Sequence, residues 1–324
     1  MKRVVTAALA VFGLVAVAAP ALTQPYPNRT VTIIVPYSAG GPVDQLARQV
    51  ANSLSAKLKQ NFVVENVTGG STITGTNRVA HAAPDGYTLL VHNLQISANA
   101  TLYKNIPFDT EKDLATVMFI YRNPLVLVGR PTLSANSLDE LTALMKKQRM
   151  KSAIPGFGST GHLATTLLSQ EAKVPIDLIP YRGGAPMLTD VMGDHVDLSF
   201  GTPQQVGPFV KAGKLKAFGV TQENKMPEFP QADSFVKLYG PKLEIQFWEA
   251  MFAPAGTPDA VIKTLNSALE ELVTDPATIK AWAADGVSAY PKDQRSPEAG
   301  SAILKSEIAR WSKVIKDNNI QVNQ

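Results

Sequence analysis

The residues able to do chemistry lie in a few short segments. Gly156-Phe-Gly-Ser-Thr-Gly161 has the glycine spacing of a dinucleotide loop and places Ser159 three residues before His162. A dinucleotide fold also needs an acidic residue near the end of the next strand, roughly 20 residues on, to hold a ribose. Asp177 stands instead at the start of that strand, and Pro155 interrupts the approach. A serine-hydrolase elbow needs glycine two residues before its nucleophile, where this chain has Phe157. Gly69-Gly-Ser71 fails the same pattern at Ile73. His162 shares a helical turn with Ser159, a poor place from which to act as its base. The four histidines, His81, His92, His162 and His195, form no metal-ligand spacing such as H-E-x-x-H, and no carboxylates pair for acid–base work. His162 stays a candidate ligand donor.

The chemistry that remains is anion binding by backbone donors. Pro36-Tyr-Ser-Ala-Gly-Gly-Pro42 recurs as Pro180-Tyr-Arg-Gly-Gly-Ala-Pro186, matching at Pro, Tyr, the fifth-place Gly and the final Pro. Gly40 and Gly41 allow a tight turn, and Pro42 suits the first position of a helix. A helix start offers unpaired N–H groups and the positive end of a dipole. Ser159 and Thr160 add hydroxyls to a third such turn. Several of these turns in one chain point to a ligand held between two lobes.

Elements of alternating type must position the turns. Val31 to Val35 reads as a buried strand, and Val43, Leu46, Ala47, Val50, Leu54 and Leu58 follow at helical spacing. Strands are expected at 62–67 and 87–93, with a polar loop and helix start at 68–75 and a Pro-Asp-Gly turn at 84–86. An apolar stretch over 117–129, broken at Pro124, suits a strand leaving one lobe for the other. The alternation then repeats, with helices at 138–148, 162–172, 187–193 and a short one at 209–212. Strands are expected between them at 152–154, 176–181, 196–200 and 215–221. Phe247 to Pro254 reads as the return strand, and helices at 258–273, 276–284 and 297–317 close the chain. This is the pattern of an α/β fold with largely parallel sheet.

Residues 1–21 read as a secretory signal: Lys2 and Arg3, an uncharged run from Val4 to Ala19, and the small residues Ala19 and Ala21 before the cut. The run is shorter than the ~20 apolar residues a membrane span requires. The 324 residues contain no cysteine, which excludes disulfides, thiolate–zinc sites, lipidated cysteine and thiol catalysis. Cleavage after Ala21 lowers the formal charge from +4 by the two charges of Lys2 and Arg3. The remaining Lys and Arg are scattered, without the basic stripe of a nucleic-acid binder. A mature chain of this length favours two lobes over a single core.

Many ordered motifs together carry a family resemblance. They are Tyr26-Pro-Asn-Arg-Thr-Val-Thr-Ile-Ile-Val-Pro-Tyr-Ser-Ala-Gly-Gly41 with Asp44, Leu46-Ala-Arg48, Val64-Glu-Asn66, Ala83-Pro-Asp-Gly-Tyr-Thr-Leu-Leu90 and Leu102-Tyr-Lys-Asn105. Pro180 to Pro186, Leu188-Thr-Asp190, Val196-Asp197, Lys211-Ala-Gly-Lys214 and Ala253-Pro-Ala-Gly-Thr-Pro258 extend them. The chain resembles the solute receptors of tripartite tricarboxylate transporters, the Bug-type receptors. The resemblance implies a two-lobed periplasmic-binding-protein-like fold, each lobe a mainly parallel sheet flanked by helices, the two joined by crossing strands. It implies a monomeric, non-enzymatic periplasmic receptor that closes on a small organic carboxylate and delivers it to membrane permease subunits, with no cofactor or metal. Lobe 1 is expected over 22–122 plus 251–324, and lobe 2 over 123–250.

The family's ligand-facing loops carry over to Tyr37, Ser38, Ala39, Gly40 and Gly41, to Ser71 and Thr72, to Ser97, to Gly158, Ser159, Thr160 and His162, and to Gly201 and Thr202. Pro42-Val43 stands where the family often has Gly-Thr, and Gly201-Thr-Pro-Gln-Gln205 where relatives often carry Asp or Asn and Ser, so Thr202 and Gln204 are expected to form the floor of a less acidic pocket. None of these loops holds Lys or Arg, and Arg182 is the nearest guanidinium in sequence. Tyr37, Phe157 and Trp248 fall at or beside the expected cleft, and their flat faces suit an aromatic mono- or dicarboxylate. The competing reading is a periplasmic hydrolase or lyase on a similar scaffold.

Overall fold

The computed structural model describes residues 25–322. The signal segment assigned to residues 1–21 lies outside them. The chain runs β1 (Val31–Val35), α1 (Pro42–Leu58), β2 (Phe62–Asn66), α2 (Ile73–Ala80), β3 (Thr88–Asn93), α3 (Gln95–Leu102) and β4 (Leu114–Pro124). It continues as β5 (Val126–Gly129), α4 (Leu138–Lys147), β6 (Met150–Ile154), α5 (Thr160–Glu171), β7 (Ile176–Pro180) and α6 (Gly184–Met192). Next come β8 (Leu198–Gly201), α7 (Pro203–Lys211), β9 (Lys216–Val220), β10 (Asp233–Ser234) and α8 (Phe235–Tyr239). The last elements are β11 (Gln246–Pro254), α9 (Asp259–Thr274), α10 (Pro276–Ala284), β12 (Ser288–Ala289) and α11 (Pro297–Asp317).

These strands form two six-stranded sheets, ordered β12-β4-β11-β3-β1-β2 and β10-β9-β5-β8-β6-β7. Strands β1, β2 and β3 pair in parallel, as do β6, β7 and β8. The strands next to the crossings, β4, β5 and β11, run antiparallel to their neighbours, so both sheets are mixed. The chain passes from the first sheet to the second at Leu125, between β4 and β5, as the break at Pro124 suggested. It returns at Ile245. Residues 246–250, placed with the second lobe from sequence, pair instead with β3 and β4 along with the rest of β11. The strand is continuous because its apolar residues are buried on both faces of a central position.

The two crossings are joined by one side chain. Thr221 Oγ1 accepts from the Leu125 N–H at 2.8 Å and donates to the Ile245 carbonyl at 2.6 Å. Its backbone bonds the same two residues, N–H to Leu125 O and C=O to the Ile245 N–H, at 3.0 and 3.1 Å. Helix α7 starts at Pro203, well before the expected 209, because the proline occupies the first turn, where no N–H is needed. Pro208 sits inside α7 without ending it. In α5, Ser159 caps the helix by accepting from the His162 N–H at 3.2 Å.

Candidate ligand-binding site

The starts of four helices meet between the two sheets. Gly41, Pro42 and Val43 of α1, Ser159, Thr160 and Gly161 of α5, Gly183 and Gly184 of α6, and Gly201 and Thr202 of α7 line one cavity of about 50 Å³. Each helix follows a strand of the parallel part of a sheet, so the cavity lies off the carboxyl ends of β1, β6, β7 and β8. Each start leaves N–H groups with no partner inside its helix. Tyr37, Asn93, Gln95, Leu125, Met187, Phe200, Gln205 and Phe247 complete much of the wall. No lining residue carries a formal charge.

Three buried polar atoms of the wall make no hydrogen bond within the protein: Thr160 Oγ1, Thr202 Oγ1 and Gln205 Nε2. Thr202 occupies the N-cap position of α7 yet its hydroxyl caps nothing, unlike Ser159 in α5. A buried hydroxyl left unpaired costs about 1–3 kcal/mol, so such atoms persist where something else uses them. Gln205 reaches the cavity past Gly184, where a Cβ would collide with its amide.

Of the residues expected at the site, Tyr37, Ser38, Gly41, Ser159, Thr160, Gly201 and Thr202 are brought together here. Ser71, Thr72 and Phe157 line an adjoining opening with Tyr181 and Arg182. Ser71 and Thr72 both have positive φ, at 52° and 78°, a strained state above all for the β-branched Thr72. Side chains of α3 and β3 hold that turn: Asn99 Nδ2 donates to Ser71 O at 2.8 Å and to Thr72 Oγ1 at 3.1 Å, and His92 Nε2 lies 3.1 Å from the same hydroxyl. Burial pushes the His92 pKa down to about 3, so the ring is neutral.

The other expected residues lie elsewhere. Ala39 is exposed, and the Gly40 N–H donates to Asp44 at 2.9 Å. Asp44 is also held by Arg48 and Asn66, and these contacts set its pKa below the usual carboxylate value although burial opposes them. Ser97 is fully buried and does not reach the cavity. Gly158 packs against Asn99, whose Oδ1 would stand 2.7 Å from an added Cβ. His162 is buried, its Nδ1 accepts from the Gly158 N–H at 3.0 Å, and burial lowers its pKa to about 4. It holds the loop and does not face the cavity. Its ring meets Phe157 edge-on at 5.4 Å.

Trp248 is a clear correction. It is 1% exposed, packs on Phe119 at 4.6 Å between ring centres and donates from Nε1 to Glu307 at 2.8 Å. Its neighbour Phe247 points the other way and lines the cavity, because side chains alternate along β11. Among the wall residues that sequence reading missed are Phe247, Phe200, Asn93, Gln95 and Gln205, the last in place of Gln204, which does not line the cavity.

Hydrogen bonds cross between the sheets around the cavity. Ser38 Oγ donates to Arg182 O at 2.5 Å, Gln95 Nε2 to Phe157 O at 3.1 Å, and Asn123 Nδ2 to Gln204 Oε1 at 2.9 Å. Ser159 Oγ and His162 Nδ1 are each committed to backbone N–H groups, so the two are not arranged as a nucleophile and base. Among the described residues, no three His, Asp or Glu side chains are grouped to hold a metal ion, and no helix is long and apolar enough to cross a membrane.

Comparison with known proteins places this geometry among relatives. A sequence model described as "Tripartite tricarboxylate transporter family receptor" matches residues 46–320. Protein BugT of Bordetella pertussis is 31% identical over 98% of this chain and 99% of its own length. The solved structure of the periplasmic binding protein BugD superposes with a TM-score of 0.86 at 30% identity, covering 91% of this chain and 99% of that one. Rpa4515 of R. palustris with adipate gives the same TM-score of 0.86, identity of 30% and coverage of 91% and 99%.

Proposed function

Because this chain belongs to the tripartite tricarboxylate transporter receptor family, we propose that it captures a small organic carboxylate between its lobes and hands it to a membrane permease. The observation that carries this reading is the meeting of four helix starts with unpaired Thr160, Thr202 and Gln205 atoms in a wall without formal charge. The helix starts supply partial positive charge where the anion sits, and the hydroxyls and amide add directed donors. The protein acts as an exported monomer whose lobes divide at Leu125 and Ile245 and close on the ligand by hinge motion there.

Within that class we favour an aromatic mono- or dicarboxylate. Phe247, Phe200 and Tyr37 offer flat apolar faces around the cavity, in place of the Trp248 and Phe157 expected from sequence. The adipate bound to Rpa4515 makes an aliphatic dicarboxylate the natural competitor.

A thermal-shift screen of benzoate, terephthalate, adipate and aspartate tests the reading, with each acid recovered and identified afterwards. An acid present at 100 times its Kd stabilises the protein by ~2.7 kcal/mol. Recovery of the acid unchanged, with compaction in solution scattering, is the expected result. No shift with any acid refutes carboxylate capture, and chemical conversion of the acid points to the hydrolase or lyase reading. Stronger binding of adipate than of either aromatic acid overturns the aromatic preference alone.

A further inference from the structure

Glu249 is a fully buried carboxyl in the middle of β11, and neither of its oxygens makes a hydrogen bond within the protein. Its position relates it to the cavity. It lies two residues from Phe247 on the same strand, hence on the same face of the sheet, and its register partner on β3 is Asn93. Phe247 and Asn93 both line the cavity. Tyr37 closes the arrangement: its ring lines the cavity, its hydroxyl donates to Asn93 Oδ1 at 2.7 Å, and Glu249 is close enough to disfavour its ionisation. The carboxyl therefore stands one side chain behind the wall that receives the anion.

Few groups face it. Tyr37, from the end of β1, and Tyr121, its register partner on β4, are the titratable neighbours, and burial raises both phenol pKa values well above normal, so both are neutral. From α10, Trp282 packs edge-on against Tyr121 at 5.2 Å and donates to Gln49 of α1. The buried residues of α1 are apolar except Asp44, which is engaged by Arg48 and Asn66. On β3, His92 is neutral and turned to Thr72. On β4, Arg122 stands over the Tyr290 ring. With no cation beside it, burial pushes the Glu249 pKa up to about 8, and the Tyr121 hydroxyl, near it but outside hydrogen-bonding geometry, offsets only part of the rise.

We propose that Glu249 is a proton-binding residue coupled to capture, so that in alkaline solution, where its carboxyl is partly ionised, the receptor takes up a fraction of a proton from solvent onto a Glu249 oxygen as it binds its carboxylate. The physical cause is like charge: an anion in the cavity and an ionised Glu249 would repel across Tyr37 through a medium that screens poorly. Anion binding therefore favours the protonated acid, and protonation favours anion binding by the same factor. Two unit charges separated by about the width of a tyrosine ring and its contacts couple by on the order of tenfold in affinity. This inference rests on the carboxylate reading.

The test is calorimetric titration of benzoate and adipate into the intact mature protein and into Glu249→Gln between pH 6.5 and 9.5, in two buffers of different ionisation heat. For the parent protein the expected result is constant affinity below pH 7.5, a fall on the order of tenfold by pH 9.5, and buffer-dependent heat at pH 8.5 that reports proton uptake. The glutamine variant, permanently neutral, is expected to bind with the same affinity throughout and without proton uptake. Binding that ignores pH, or a fall of equal size in the variant, overturns the inference and leaves carboxylate capture standing. If the variant does not fold, the buffer dependence of the parent protein decides alone, its absence being refutation. Failure of both acids to bind at every pH overturns the carboxylate reading, and this inference with it.

Discussion

Thr202→Val separates a hydroxyl kept for a ligand from one kept for the fold. Thr202 is 3% exposed and sits at the N-cap of α7, with φ −73° and ψ 154°, but its Oγ1 bonds nothing. Valine has nearly the same volume and the same branching at Cβ, so it fills the same space. Removing an unsatisfied buried hydroxyl gives back part of a penalty of about 1–3 kcal/mol, and no cap is lost because none is made. The ligand-free variant should therefore be more stable than the parent by about 1 kcal/mol. Its affinity for the bound acid should fall at least tenfold, since a hydrogen bond to a charged acceptor contributes about 1.5–3 kcal/mol. Urea unfolding without ligand measures the first quantity, and calorimetric titration with the best acid of the screen measures the second. If valine destabilises the ligand-free protein by the ~1 kcal/mol typical of a lost cap, the hydroxyl serves the helix and the reasoning fails. Unchanged affinity refutes it equally.

Trp248→Ala should lower stability by about 3–5 kcal/mol, the usual loss for a buried indole, while Phe247→Ala should mainly weaken binding of benzoate and terephthalate; unfolding and titration of both variants check this. Glu249→Gln should gain stability relative to the parent as pH rises. The folded pKa of about 8 lies above the ordinary 4.5, so the parent loses stability as pH climbs from 4.5 through 8. The difference between the two proteins should change by roughly 2–3 kcal/mol between pH 5 and 7 in urea titrations, and a flat difference contradicts a neutral buried acid. Gln204→Ala removes the hydrogen bond to Asn123 between the sheets without touching the cavity wall. Stopped-flow release should be severalfold faster, as one net hydrogen bond of about 1 kcal/mol implies, and an unchanged rate would show that this contact does not hold the lobes together.

Much of the site was legible because its residues sit in local motifs. The turn at Gly40–Pro42 and the Ser159–Thr160 helix start announce themselves by residue type, and both reach the cavity at Gly41, Ser159 and Thr160. The break at Pro124 marked the first crossing. What stayed hidden depends on contacts between distant segments. In Phe247-Trp-Glu249, alternation tells that neighbours part company, but only pairing with β3 and β4 tells which face looks at the cleft. Gln205 was missed because the helix was expected only from 209, whereas Pro203 opens α7 and Pro208 is absorbed within it. His162 looked like a ligand donor for want of its real partner, the Gly158 N–H four residues back. Glu249 carried a signal that went unused: a lone acid inside an apolar strand.

The threonine that ties the two crossings has a mechanical consequence. Two separate connecting ribbons would let one lobe twist, shear and rock against the other. Thr221 binds Leu125 and Ile245 to a single point, through its hydroxyl and through its own backbone. Large relative movement must then turn about that point, as a door turns on one axle. In the closure proposed above, fewer arrangements of the open protein are available to be lost, so the search for the closed geometry is narrowed before any ligand arrives. The fold itself carries that part of the ordering, and a small anion with few contacts needs to supply only the rest.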